Sequence, residues 1–130
     1  EGSVLYVSGE ESAEQIKLRA DRLGIKNDDI LFLGETDIDI VNQNIMNLNP
    51  KLVIIDSIQT MYSEEIPAAA GSVSQVREIT ARLMRCCKLN GITTIIQITH
   101  GNSRIYCRWL RQPLWQIRNY RILQKYLFAE

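Results

Sequence analysis

Three polar side chains, Glu10, Asp56 and His100, follow predicted strands and could take part in phosphate chemistry. Asp56 ends the apolar run Leu52–Ile55, which is typical of a strand buried on both faces in a parallel sheet. Parallel strands end at a common edge where α/β folds bind ligands, so we expect the three side chains to share that edge. There an aspartate of this Walker B pattern can hold Mg²⁺ on a nucleotide phosphate, a glutamate can activate water, and a histidine can contact the γ-phosphate.

Each of these residues also has a simpler interpretation. Asp56 could cap the turn that follows its strand, and His100 could be an ordinary surface residue. Glu10 and its neighbour Glu11 could simply stabilise the start of the next helix by interacting with its dipole. The nucleotide interpretation therefore depends on the three groups lying together.

A second candidate site is the start of the long helix predicted from Ser72 to Asn90. A helix N-terminus attracts phosphate through its free N–H groups and its dipole, and Arg77 could add a phosphate contact. The alternative is an ordinary N-cap followed by a solvated face that carries Arg77 and Glu78. The spacing alone favours the ordinary cap.

Alternating strands and helices position these candidate residues. Short β-prone runs predict strands, apolar residues at helical spacing predict helices, and Ser12 with Gln15 forms a capping box. The predicted elements are strand Val4–Val7, a helix from Ser12 to about Gly24, strand Ile30–Leu33, helix Asp37–Leu48, strand Leu52–Asp56, helix Ser72–Asn90 and strand Ile92–Ile98. This β-α-β-α-β-α-β order predicts an α/β fold with a parallel sheet and right-handed crossovers.

The composition indicates a folded protein, because 45% of the 130 residues are hydrophobic and 23% are charged. No apolar run approaches the roughly 20 residues of a membrane span, and no signal-peptide pattern is present. We therefore expect no membrane partner and a cytoplasmic location. Three cysteines and a single histidine favour a reducing compartment and do not favour a zinc site.

The net charge of zero hides a division of the chain. Residues 1–100 carry nine Lys/Arg and fourteen Asp/Glu, a balance of −5. Residues 101–130 carry six Lys/Arg and one Glu, a balance of +5, together with both tryptophans. The sequence therefore predicts a core in residues 1–100 and a divergent basic tail in residues 101–130.

A phosphate-binding string of the GxxxxGK[ST] type does not occur in the 130 residues. Such a P-loop supplies the backbone N–H groups and the Lys that hold the β- and γ-phosphates. We therefore expect no tight ATP binding by this chain alone, and no Mg²⁺-dependent ATP hydrolysis above background. Turnover that Asp56→Ala abolishes would contradict this expectation.

Three strings of the sequence closely resemble one family: Val4–Ile16, Leu52–Thr60 and Gly71–Glu78. Over residues 3 to about 100 they are similar to the RadA (Sms) family of bacterial DNA repair proteins. The resemblance implies a RecA-like ATPase that forms hexameric rings on single-stranded and branched DNA. It also implies ATP and Mg²⁺ as cofactors and branch migration in recombinational repair as the activity.

The resemblance further implies that this chain is a central fragment. Family members also carry an N-terminal zinc finger, a P-loop and a C-terminal domain similar to Lon protease. We therefore expect the RecA-like three-layer core of residues 1–100 to be incomplete, with a parallel sheet that lacks the P-loop strand.

The resemblance assigns roles at the predicted sheet edge. Glu10 matches the glutamate that activates the attacking water, and is the implied catalytic residue. Asp56 matches the Walker B carboxylate, which holds Mg²⁺ through a water molecule. Ser57 and His100 would contact the nucleotide together with Asp56.

The resemblance also implies a DNA site. The loop Thr60–Ser74 is similar to the DNA-facing loop of the ring, and its implied DNA-binding residues are Ser72, Ser74 and Arg77. Another RecA-like ATPase, such as a replicative helicase or a circadian-clock ATPase, is an alternative, but the string Gly71–Glu78 argues against it.

The resemblance ends after His100. Dropping one base from a back-translation of Gly101–Arg108 gives a frame close to the family's continuation, so we expect residues 101–130 to arise from a frameshift, which sequencing the encoding DNA would test. The alternative is a non-enzymatic nucleic-acid-binding module in which the tail binds single strands by charge and stacking. Its binding residues would be Arg104, Arg108, Trp109, Arg111, Trp115, Arg118 and Arg121.

Overall fold

The computed structural model describes residues 3–25, 30–101 and 103–109 of the chain. Its elements are β1 (Val4–Ser8), α1 (Ala13–Arg22), β2 (Ile30–Leu33), α2 (Ile38–Leu48), β3 (Leu52–Asp56), a 3₁₀ turn (Ile58–Thr60), α3 (Val73–Leu89), β4 (Thr93–His100) and β5 (Ser103–Trp109). The predicted α/β alternation is confirmed, with small differences at the ends of the elements.

The five strands form one sheet in the order β2-β1-β3-β4-β5. The first four are parallel, as the sequence predicts, and β5 pairs antiparallel with β4. In the parallel part Val4 pairs with Leu52 of β3, and this register brings Ser8 opposite Asp56 at the carboxyl end. The sequence analysis did not predict β5.

The larger apolar cluster lies between the sheet and the two helices α2 and α3. It contains Leu5 and Val7 from β1, Val53 and Ile55 from β3, Ile96 from β4, Ile38, Val41 and Ile45 from α2, and Ile79, Leu83 and Cys87 from α3. Burial raises the pKa of the Cys87 thiol to about 11, so this side chain packs as a neutral thiol at physiological pH.

The opposite face of the sheet carries a smaller cluster that α1 covers. The buried strand residues there are Val4, Tyr6, Leu52, Ile54 and Ile95, and the partly buried helix residues against them are Ile16, Ala20 and Leu23. No residue of α1 is fully buried. Among the residues that the structure describes, no helix is long and apolar enough to cross a membrane.

Candidate functional site

The carboxyl ends of β1 and β3 form a topological switch point. From β1 the chain passes through α1 to β2 on one side, and from β3 it passes through α3 to β4 on the other. The two helices also cover opposite faces of the sheet. In open α/β sheets such a divergence leaves a crevice at the strand ends, and this is where ligands bind.

Glu10 and Ser57 meet across this crevice. The Ser57 hydroxyl donates a hydrogen bond to Glu10 Oε1 over 3.0 Å, although the two residues are 47 positions apart in the chain. Ser57 is almost fully buried and Glu10 is exposed. The structure therefore brings together three of the residues that the sequence analysis placed at this edge, namely Glu10, Asp56 and Ser57.

Asp56 is a buried carboxylate with 7% of its surface exposed. The Tyr6 hydroxyl, which is also buried, donates a short hydrogen bond to Asp56 Oδ2. The peptide bond between Asp56 and Ser57 is cis. Because a hydrogen bond from a neighbouring side chain orients a metal-binding carboxylate, Tyr6 is suited to hold Asp56 in a fixed rotamer.

Tyr6 was missed by the sequence analysis, although the strand pattern contains the signal. Tyr6 lies two residues before Ser8, and Ser8 is the register partner of Asp56. Side chains two residues apart on a strand share a face, so Tyr6 and Asp56 point to the same side of the sheet as diagonal neighbours.

Glu11 has a different partner from Glu10. Its carboxylate forms an ion pair of 2.8 Å with Arg19 on α1. A cavity of about 390 Å³ lies beside it, between the loops that follow β1 and β2, and Ser8, Gly9, Ser12 and Thr36 contribute to its walls. Only Glu10 of the two glutamates turns towards β3.

The oxygen atoms at the crevice are of the kind that binds Mg²⁺ together with phosphate. The described residues contain no cluster of three or more His, Cys, Asp or Glu side chains that could hold a metal ion. Mg²⁺ is usually held by one or two carboxylates, several waters and the substrate phosphates. Asp56, with the Ser57 hydroxyl beside it, offers such a partial oxygen set.

The carboxyl end of β4 lies next to that of β3, and Gln59 connects the two. The Gln59 side-chain amide accepts a hydrogen bond of 2.8 Å from the Thr99 backbone N–H and donates one to the Thr99 carbonyl. The backbone of His100 therefore ends β4 on the same edge of the sheet as Asp56. The side chain of His100 lies outside the described part of the structure.

The predicted DNA-binding residues lie at the start of α3. Ser72 is the N-cap, and its hydroxyl accepts a hydrogen bond of 3.4 Å from the Gln75 backbone N–H. Ser74 and Arg77 are exposed and line a groove of about 660 Å³. The remaining walls of this groove are Ile66, Val73 and Glu78.

The prediction that the basic tail binds nucleic acid falls on side chains outside the described part of the structure. Residues 110–130, with Arg111, Trp115, Arg118 and Arg121, lie outside the described residues. Arg104, Arg108 and Trp109 belong to β5, and their side chains also lie outside the described part.

Comparisons with known proteins match the larger part of the chain. It is 55% identical over 94 residues to DNA repair protein RadA of Bacillus subtilis (strain 168), which covers 72% of this chain and 20% of the relative. The RadA proteins of Halalkalibacterium halodurans and Streptococcus pneumoniae (strain ATCC BAA-255 / R6) are 54% and 53% identical over 93 and 95 residues. The chain spans about a fifth of the length of these curated relatives. No family profile matches the chain.

A solved structure of similar fold is a KaiC-like protein from Pyrococcus horikoshii OT3. It superposes with a TM-score of 0.53 at 12% sequence identity, over 82% of this chain and 66% of that one. At this identity the likeness concerns the fold alone.

The parallel sheet, the switch point and this structural likeness define an α/β protein with a RecA-like core. The sequence matches then identify the particular family. The matched stretch of this chain belongs to the family of the DNA repair protein RadA.

Proposed function

We propose that this chain forms part of the ATP-hydrolysing core of a RadA-type DNA repair motor. In this proposal the crevice at Glu10, Asp56 and Ser57 receives Mg²⁺ and the phosphates of ATP, and the start of α3 contacts DNA. The whole protein would assemble as a homo-hexamer on single-stranded and branched DNA and drive branch migration. The observation that carries the nucleotide part is the contact between Ser57 and Glu10 at the switch point.

Each crevice residue has a distinct role in this mechanism. Asp56 would be the residue that holds Mg²⁺, and the Tyr6 hydroxyl would keep its carboxylate oriented. The Ser57 hydroxyl fixes one oxygen of Glu10, whose exposed carboxylate then accepts the proton of the attacking water. The metal, when bound, neutralises charge on the phosphates. His100 would contact the nucleotide from the neighbouring strand.

The metal site can be tested with Mn²⁺·ATP, because the paramagnetic ion reports weak binding in NMR spectra. We expect titration into the ¹⁵N-labelled 130-residue chain to broaden the backbone amide signals of residues 8–10 and 56–58 first. Asp56→Asn should abolish this selective broadening. Tyr6→Phe keeps the ring but removes the hydroxyl, and should weaken the binding by about tenfold, as expected for an outer-shell partner.

Asp21→Asn is the matched control for this experiment, because it removes one exposed carboxylate from α1 away from the crevice. It should leave the broadening unchanged. Broadening that centres on another surface, or that persists undiminished in Asp56→Asn, would overturn the nucleotide part of the proposal.

The DNA part rests on the exposed Ser74 and Arg77 beside the N-cap Ser72. A phosphate contact should make affinity fall with salt, and Arg77→Ala should weaken the binding of a single-stranded oligonucleotide and reduce the salt slope by about one. Arg85→Ala is the matched control, since it removes the same charge from an exposed position two turns further along α3. Equal effects of the two variants would contradict a site at the start of the helix.

A further inference from the structure

Gln75 is a buried polar residue that binds one loop through its whole side-chain amide. Only 2% of its surface is exposed. Its Nε2 lies 3.2, 3.1 and 2.7 Å from the backbone carbonyls of Ser63, Ile66 and Ala68, so its two N–H groups are shared among three acceptors. Its Oε1 accepts a hydrogen bond of 3.4 Å from the Ser63 N–H. The loop backbone also bonds to itself, from the Ile66 N–H to the Ser63 carbonyl and from the Ala68 N–H to the Ile66 carbonyl, so Gln75 adds to these bonds and ties the loop to α3.

The position of Gln75 in α3 would ordinarily be apolar. It lies four residues before Ile79 and eight before Leu83, so it continues the buried stripe of the helix. A buried amide destabilises the fold unless its hydrogen bonds are made. The side chain therefore suits this position only while loop 63–68 is folded against it.

Arg82 holds the same loop from the next turns of α3. Its guanidinium donates to Ser63 Oγ over 3.2 Å and pairs with Glu65 at 3.0 Å, with further ion pairs to Glu78 and Asp39. Partial desolvation lowers the pKa of Arg82, but the three carboxylates outweigh it and leave the pKa above its ordinary value.

Loop 63–68 contributes Ile66 to the lining of the groove at the start of α3. The Ile66 carbonyl is one of the three that the Gln75 amide contacts, and Ile66 lines the groove together with Val73. Val73 has 85% of its surface exposed, so this groove joins an apolar wall to the polar groups of Ser74 and Arg77. The shape of the groove is thus set by where the loop is held.

We propose that Gln75 is a positioning residue for nucleic-acid binding, which fixes loop 63–68 and thereby the groove that receives a single strand. The apolar wall of Ile66 and Val73 would contact sugars and bases, while Ser74 and Arg77 contact phosphate. The inference rests on the proposed DNA site, but its structural part, the anchoring of the loop, can be measured separately.

The test uses Gln75→Met, which keeps a long unbranched side chain but cannot form the hydrogen bonds. In hydrogen exchange, the Ser63 amide should exchange at least about tenfold faster, since a lost hydrogen bond of about 1.4 kcal/mol changes an equilibrium tenfold. Affinity for a single-stranded oligonucleotide should fall about three- to tenfold. Gln75→Asn, whose amide is one carbon shorter, should give smaller changes in the same direction and serves as the milder variant if Gln75→Met does not fold.

Ile79→Val is the control for general destabilisation, because Ile79 is fully buried on the same helix and does not touch the loop through hydrogen bonds. It should lower the melting temperature while leaving Ser63 exchange and oligonucleotide affinity unchanged. If Ile79→Val changed Ser63 exchange and oligonucleotide affinity as much as Gln75→Met does, the role of Gln75 would be merely structural and the proposal would be overturned.

Other outcomes separate this proposal from the proposed function. Unchanged Ser63 exchange in Gln75→Met and Gln75→Asn would overturn the anchoring, whatever the DNA result. Suppose that Arg77→Ala weakens oligonucleotide binding, and that Gln75→Met speeds Ser63 exchange but leaves the oligonucleotide affinity unchanged. That result would overturn the link between the loop and the groove. A wild-type chain that binds no oligonucleotide would overturn the proposed DNA site, while faster exchange would still support the anchoring.

Discussion

Glu10 and Glu11 are adjacent in the sequence, yet each belongs to a different part of the molecule. Glu11 pairs with Arg19 and so supports α1 through an ion pair, whereas the simpler interpretation of both glutamates was an effect on the helix dipole. Glu10 instead accepts a hydrogen bond from the hydroxyl of Ser57, the residue that follows β3. A single step along the loop thus separates a helix-stabilising carboxylate from one that faces the crevice.

Gly9 is the residue that allows this loop to pass so close to its neighbours. A Cβ at this position would lie 2.4 Å from Thr36 Cγ2 and 2.9 Å from Thr60 Oγ1. We expect Gly9→Ala to lower the free energy of unfolding by about 1–3 kcal/mol, because overpacking forces the surrounding atoms to move. Urea denaturation followed by circular dichroism measures this loss.

Gly34→Ala provides the comparison for Gly9→Ala. A Cβ at Gly34 would meet only the ring of Phe32, at 3.4 Å, which is close to an ordinary contact. The stability of Gly34→Ala should stay within about 0.5 kcal/mol of the wild type. If the two variants unfold at the same urea concentration, the close approach at Gly9 does not constrain the loop.

At the scale of elements, α1 depends on its cap more than the other helices do. No residue of α1 is fully buried, whereas four residues of α3 are. The Ser12 hydroxyl accepts from the Gln15 N–H, and the Gln15 side chain accepts from the Ser12 N–H, which completes a capping box. A helix with little packing has few other sources of stability.

Ser12→Ala should therefore loosen α1 selectively. We expect a loss of about 0.5–2 kcal/mol, as is usual for removal of an N-cap side chain, and faster hydrogen exchange confined to residues 13–22. Ser74→Ala, which changes an exposed serine inside α3, should leave exchange throughout the chain unaltered. Uniform acceleration across β1 and β3 would instead mean that α1 unfolds only with the whole molecule.

The sequence predicted the regular elements well, because each carries a local signal. The Ser12 box, the apolar run before Asp56 and the helical spacing after Asp37 all act over a few residues. The contacts that complete the site act over long separations: Ser57 reaches Glu10, and Tyr6 reaches Asp56, only after the strands have paired. Such contacts depend on register and could not be read from local patterns.

Gln75 and β5 were missed for two different reasons. Gln75 breaks the apolar stripe of its helix, and its partners are backbone groups of a loop whose conformation has no sequence signature. The segment Ser103–Trp109 carries two arginines, and its charge suggested a tail distinct from the core. Its Ile105, Tyr106 and Trp109 are nevertheless residue types that favour strands.

The whole sheet has β2 at one edge and β5 at the other. Seven residues of β5 pair with Thr94–His100 of β4, so β4 is an interior strand of the described molecule. The division into a core of residues 1–100 and a separate tail stays a prediction. Without β5, β4 would become an edge strand with a free row of backbone N–H and C=O groups.

A chain ending at Gly101 should therefore be less stable and prone to associate. Each cross-strand pair contributes roughly 0.2–1 kcal/mol, so loss of the seven residue pairs between β4 and β5 should cost a few kcal/mol. The matched control ends at Trp109, which keeps β5 and removes only residues 110–130. Urea denaturation and sedimentation velocity would compare the two chains, with a lower midpoint and larger species expected for the shorter one. Equal midpoints and equal monomeric profiles would mean that β5 does not stabilise the core. That result would agree with the predicted division into a core of residues 1–100 and a separate tail.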